Sequence, residues 1–101
     1  MKSRYGSFRE FYPFYLSEHQ NLTCRKLHFI GSWLVLAVVA ASLLFSDWRY
    51  LLLAPLAGYG FAWTGHAFFE KNRPATFTYP VYSFMGDWVM FKDILQGRIK
   101  I

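Results

Sequence analysis

Three histidines stand at positions 19, 28 and 66 of a 101-residue chain, and their spacing suits a metal site. His28 and His66 are each nineteen residues from Asp47. If the chain turns at that aspartate and both arms run back as antiparallel helices, the two imidazoles share one depth, roughly 28 Å from the turn. His19 precedes the first arm and lies on the same side, so all three rings can converge. Three neutral imidazoles with one oxygen ligand suit iron(II), copper or zinc. The ordinary alternative is that histidines favour helix ends and interfaces, where their polarity costs little.

His19 and His28 are nine residues apart, which on one continuous helix puts them on opposite faces. They can meet only if the backbone breaks between them, and Asn21 or Thr23 offers a cap for a new helix leading into His28. Glu70 follows His66 by four residues and shares its face if the helix persists that far. Pro74 disfavours helix before it, so the segment is expected to end around Asn72–Arg73. Glu70 is a candidate fourth ligand or a carboxylate that orients a ligating imidazole. Its ordinary alternative is an exposed ion pair at a helix end. Cys24 could join the cluster, although a lone thiol is more often a small buried hydrophobe. Asp87, between Gly86 and Trp88, is either a buried partner of the cluster or a capping residue.

The elements that must position these groups are apolar. Residues 29–46 contain no charge, and residues 50–69 carry His66 as their only readily ionised side chain. Each run is about the length needed to cross a hydrocarbon core of roughly 30 Å. Only Asp47, Trp48 and Arg49 separate them, which predicts a tight antiparallel hairpin, with Gly58, Gly60, Ala62 and Gly65 offering small surfaces for close packing. A soluble bundle would need more chain to cover two such helices. Ten of the eleven lysines and arginines lie outside the hairpin loop, so the positive-inside rule places both termini in the cytoplasm. The bases flank apolar runs and form no single patch, which argues against nucleic acid as a partner. No apolar stretch in the first 25 residues reads as a cleavable signal peptide, and the Asn21-Leu22-Thr23 sequon faces the wrong compartment for glycosylation.

Aromatic residues at Tyr5, Phe8, Tyr12 and Tyr15 predict an interfacial helix over residues 3–16, bent near Pro13. A further helix is expected over 80–95, with Pro80 near its start and an apolar stripe of Val81, Phe84, Met85, Trp88 and Leu95. Asp87, Lys92 and Asp93 make a lipid-exposed crossing there expensive, so it packs against the hairpin or dips partway into the membrane. The expected fold is one all-α membrane domain over 1–101: a transmembrane helical hairpin with interfacial or partly inserted N- and C-terminal helices. Cys24 is the sole cysteine, so no internal disulfide contributes.

Two stretches carry a family resemblance: residues 11–31, with His19, Asn21 and His28, and residues 65–95, with His66, Glu70, Asn72, Pro74 and Ala75. Together they resemble the small membrane family that includes the fungal 2-hydroxy fatty acid dioxygenase of the endoplasmic reticulum, which acts in phytosphingosine breakdown. The resemblance implies iron(II) (Fe2+) as cofactor and alpha-oxidation as the reaction: a 2-hydroxy fatty acid and dioxygen give the acid one carbon shorter, carbon dioxide and water. It carries the family's required histidines onto His19, His28 and His66. Asn21, Asn72 and Asp87 are then supports around the ligands. Arg25, Lys26, Lys71 and Arg73, near the same level, are candidates for attracting the substrate carboxylate; their ordinary role is to set topology. The implied location is a multi-pass protein of the bacterial inner membrane, or of the endoplasmic reticulum in a eukaryote. Two other classes compete: a noncatalytic protein holding haem or metal through its histidines, and a scaffold that forms homo-oligomers through its Gly/Ala face.

Overall fold

The computed structural model describes residues 5–101, so positions 3 and 4 of the expected first helix lie outside the described residues. Every regular element among the described residues is helical. Helix α1 spans Phe8–Ser17. Ser7 caps it by accepting from the Glu10 amide at 3.2 Å, and the Glu10 carboxylate reaches back to the Gly6 N–H at 3.1 Å. This is a variant of the reciprocal capping box. Pro13 sits inside the helix without ending it.

Helix α2 runs over Leu22–Leu44. It begins seven residues before the uncharged run because Asn21 caps it, accepting from the Thr23 and Cys24 amides at 2.9 and 3.1 Å. At its far end Ser46 takes a left-handed conformation, φ 50°, and Asp47 caps a 3-10 turn over Trp48–Leu52. Helix α3 follows over Leu53–Gly65, then a π-helical turn over His66–Glu70 and a 3-10 turn over Ala75–Phe77. Helix α4 covers Pro80–Leu95, with proline in its first turn.

The arms α2 and α3 form an antiparallel hairpin: Gly31 faces Ala57 and Phe61, while Gly65 meets Cys24 near the open end. A methyl at Gly65 would come within 2.8 Å of the Cys24 sulfur, so only glycine lets the backbones approach this closely. Among the described residues one helix, α2, is long and apolar enough to cross a membrane. Two continuous spanning helices were expected. The second arm is instead interrupted: Pro55 offers no N–H to a preceding turn, and the π turn replaces the last α turn. Outward-facing leucines and aromatics cover the hairpin, including Leu34, Leu43, Leu44, Leu56 and Trp63.

A second body packs conventionally. Phe11 and Tyr15 of α1 lie with Ala75, Met90 and Ile94 in a buried core, surrounded by Tyr5, Phe8, Tyr79 and Tyr82. Sealing a phenylalanine or methionine contributes about 1.5–3 kcal/mol, and here much of it is aromatic contact between α1 and α4. Phe91 ties this body to the hairpin through Phe29 and Trp33, with ring centroids 5.1 and 5.2 Å away. The histidines lie along that seam.

Candidate metal centre

His19 sits in the short connection between α1 and α2, His28 one and a half turns into α2, and His66 at the start of the π turn. The chain break at residues 18–21 removes the nine-residue conflict between His19 and His28, and Asn21 restarts the helix. All three imidazoles are buried, and each offers a ring nitrogen within 4.8 Å of the other two. The Nε2 atoms of His19 and His28 are 3.2 Å apart, and those of His19 and His66 are 2.9 Å apart. The rings meet nearly edge to face, with interplanar angles of 87°, 79° and 84°.

The partners of the other ring nitrogens fix the tautomers. His19 Nδ1 faces the Tyr15 carbonyl at 2.6 Å, and His28 Nδ1 faces the Cys24 carbonyl at 2.9 Å. A carbonyl only accepts, so both Nδ1 atoms carry the proton. His66 Nδ1 lies 2.6 Å from Asn72 Oδ1, while the Asn72 amide donates to Glu18, to its carbonyl at 3.1 Å and its carboxylate at 2.9 Å. The oxygen of Asn72 therefore receives the His66 proton. Three bare Nε2 lone pairs are left pointing at one another, an arrangement that repels unless a cation lies among them. Metal–nitrogen bonds of about 2.0–2.1 Å place ligand nitrogens about 3.0–3.4 Å apart, close to the two separations here. The donor set fits a divalent transition metal. Burial, reinforced by the neighbouring imidazoles, pushes His19 well below the usual histidine range, which keeps it in the neutral form that binds metal.

Two connected cavities meet at this point. A small one of about 20 Å³ touches all three histidines, Tyr15, Ser83 and Asp87. A larger one of about 290 Å³ runs between α2, α3 and α4, lined by Val35, Pro55, Gly58, Phe84 and Trp88, and reaches His28 and Asp87. From Ala54 to Ala62 it follows α3 for about 12 Å. Its shape is an apolar channel with a metal-ligand triad at one end.

The model of the family described as 2-hydroxy-palmitic acid dioxygenase Mpo1-like matches residues 5–99, nearly the whole chain. The chain belongs to the Mpo1-like family. No curated protein and no solved structure matches it.

Within this Mpo1-like chain, the remaining sequence candidates occupy different places. Glu70 stands outside the triad. Its carboxylate accepts from the Asn21 backbone N–H, against the positive end of α2. Asn21 thus caps α2 and anchors Glu70 without touching an imidazole. Asn72 does touch one, because Lys71 adopts a left-handed φ of 57° and folds the chain back on His66. Asp87 reaches the triad indirectly: it accepts from the Tyr15 hydroxyl, and the Tyr15 ring stacks on His19 with centroids 4.0 Å apart. Burial raises the Asp87 carboxyl to about 6, against the opposing bond from Tyr15. Gly86 makes this contact feasible, since a methyl there would meet the Tyr15 ring at 2.9 Å.

The four bases do not line the channel. Arg25 donates to the His19 carbonyl at 2.6 Å and to the Lys100 carbonyl at 3.2 Å, bracing the connection that carries His19. Arg73 lies over the Phe77 ring at 5.1 Å, and Lys26 and Lys71 are exposed. Cys24 is buried against Gly65, with its sulfur 3.6 Å from the protonated Nδ1 side of His28. Sequence reasoning missed Tyr15 and Ser83 as cavity residues. The four-residue interval from Ser83 to Asp87, which gives both one face of α4, was the available signal.

Proposed function

We propose that this protein is an iron(II)-dependent dioxygenase that carries out alpha-oxidation of long-chain 2-hydroxy fatty acids, releasing the carboxyl carbon as carbon dioxide. The observation that carries the reading is the convergence of three Nε2 lone pairs beside an apolar channel that reaches His28. Family membership supports the same reaction class. The residues that would hold the metal are His19, His28 and His66; bound iron would supply redox chemistry with dioxygen and a Lewis-acid site for the hydroxy acid. The protein's own part is positional. Tyr15, Cys24 and Asn72 hold the Nδ1 protons and fix the three rings, while Val35, Gly58, Phe84 and Trp88 receive the acyl tail and exclude water from the head. The overall change balances without another reductant: the hydroxy acid and O2 become the shortened acid, CO2 and H2O. The tight approach of the three nitrogens leaves no plane for a porphyrin between them, so the haem alternative gains no support.

On this reading the hairpin lies in a membrane, with its outward leucines in lipid and both termini on the cytoplasmic side, as the placement of the bases suggests. The interrupted second arm crosses as a 3-10, α and π composite. The test is direct. Protein reconstituted with iron(II) under argon, then given oxygen and carboxyl-labelled 2-hydroxyhexadecanoate, should release labelled carbon dioxide and pentadecanoate without 2-oxoglutarate. Iron-loaded, correctly inserted protein that leaves 2-hydroxy acids of several chain lengths intact would remove this activity.

A further inference from the structure

Ser83 is buried at 4% exposure, and among the described residues its hydroxyl is the one fully buried side-chain group without a hydrogen-bond partner. A serine on a helix commonly satisfies itself on the carbonyl one turn back, and Ser83 does not. It lines the small cavity shared by all three histidines. Asp87, one turn later on the same face, lines both that cavity and the apolar channel. One carboxylate oxygen of Asp87 accepts from Tyr15, and the group has acceptor capacity left for the cavity.

The lysines and arginines near this level lie elsewhere, so an acid entering the channel finds no cationic side chain. Its head would meet the triad on one side and α4 on the other, where Ser83 offers a donor and Asp87 an acceptor. A 2-hydroxy acid matches that pair: its carboxylate accepts and its hydroxyl donates. An unsubstituted fatty acid has nothing to give Asp87. We propose that Ser83 and Asp87 together recognise the substrate head, the serine hydroxyl donating to the carboxylate and Asp87 accepting from the 2-hydroxyl. This rests on the 2-hydroxy acid reading above. The competing explanation for Ser83 is a single trapped water, for which about 20 Å³ suffices.

The test uses the full chain in phosphatidylcholine nanodiscs, loaded with zinc(II) so that no turnover occurs. Binding of 2-hydroxyhexadecanoate and of hexadecanoate is titrated by calorimetry against protein-free discs. Wild type should prefer the hydroxy acid. Ser83→Ala should weaken both acids about tenfold and leave their ratio unchanged, the loss expected for one buried hydrogen bond. Asp87→Asn should lower the ratio itself. Zinc content should stay at wild-type level in both variants, and Ser83→Ala should melt at the wild-type temperature or above, since it removes an unsatisfied hydroxyl. Wild-type preference with Ser83→Ala binding as tightly as wild type would overturn the serine's role and leave the proposed reaction standing. Zinc-loaded wild type that binds neither acid would overturn both.

Discussion

In the body formed by α1, α4 and the 75–77 turn, Phe11, Tyr15 and Met90 are sealed inside at no more than 1% exposure; in the hairpin, Leu43, Leu44 and Leu56 look outward at 76%, 79% and 71%. Both regions are rich in apolar side chains. One satisfies them against itself and the other leaves them for its surroundings. A helix whose apolar side chains face outward gains little from its own fold, so the hairpin's stability depends on what covers it. The metal ligands come from the boundary. His28 and His66 belong to the open end of the hairpin, while His19 leaves α1 with Tyr15 stacked on its ring. The site therefore reports on whether the two regions are docked.

Removing a ligand breaks that joint most severely. Alanine at His19, His28 or His66 should weaken metal binding by well over 100-fold, measured as metal retained after anaerobic dialysis, because even partners of ligands are worth about 10–100-fold. Asn72→Ala should fall within that lower range. Circular dichroism should show both helical regions still formed.

The next effect distinguishes the two regions by pH. Asp87 packs against the α1 side of the seam and ionises near 6 in the fold, against an ordinary value of 3.8. Between these values the folded protein keeps a proton that the unfolded chain has lost. The Asp87 contribution to metal-free stability should therefore fall by roughly 3 kcal/mol as pH rises from 4 to 7, while the buried His19, held neutral in the fold, contributes in the opposite sense over that range. Denaturant titrations of wild type and Asp87→Asn isolate it: the stability of wild type relative to the variant should decline between pH 4 and 7 and stay constant above.

Packing comes third. Gly65→Ala should cost about 1–3 kcal/mol by forcing α2 and α3 apart at Cys24. The smaller change is in the sealed body: Tyr12→Phe loses a 2.7 Å bond to the Asp93 carboxylate and should cost about 1.5 kcal/mol. Gly60→Ala meets nothing within 4 Å and should gain up to about 1 kcal/mol from helix propensity alone. If Gly65→Ala matched Gly60→Ala in lipid, the close contact at the hairpin's open end would have no energetic weight.

Features with a fixed period were legible in the sequence. The equal distances of His28 and His66 from Asp47 foretold their shared depth, and the Asn21 cap foretold the break that admits His19. Pro80 marked the start of α4. What escaped depended on departures from regular geometry. Glu70 was grouped with His66 by the α-helical interval, and its carboxylate instead meets the Asn21 amide. The continuous second span was inferred from composition, which does not register the interruptions at Pro55 and His66. The bases were grouped by depth, yet depth says nothing of direction, and Arg25 turns to backbone carbonyls while Arg73 turns to Phe77. Tyr15 read as one more interfacial aromatic; that it stacks on a ligand depends on Gly86, 71 residues downstream in sequence.

The π turn also sets a counting rule for this site. On an uninterrupted α-helix each residue advances about 100°, so Asn72, six residues beyond His66, would end about 240° around the axis and face away. One wide turn followed by the left-handed Lys71 cancels that excess and brings the amide back to the imidazole. The segment from His66 to Asn72 therefore works as a fixed-length gauge. A deletion of one residue within 67–69 would leave charge and ligand identities unchanged, yet the ring would lose its brace because the count no longer closes.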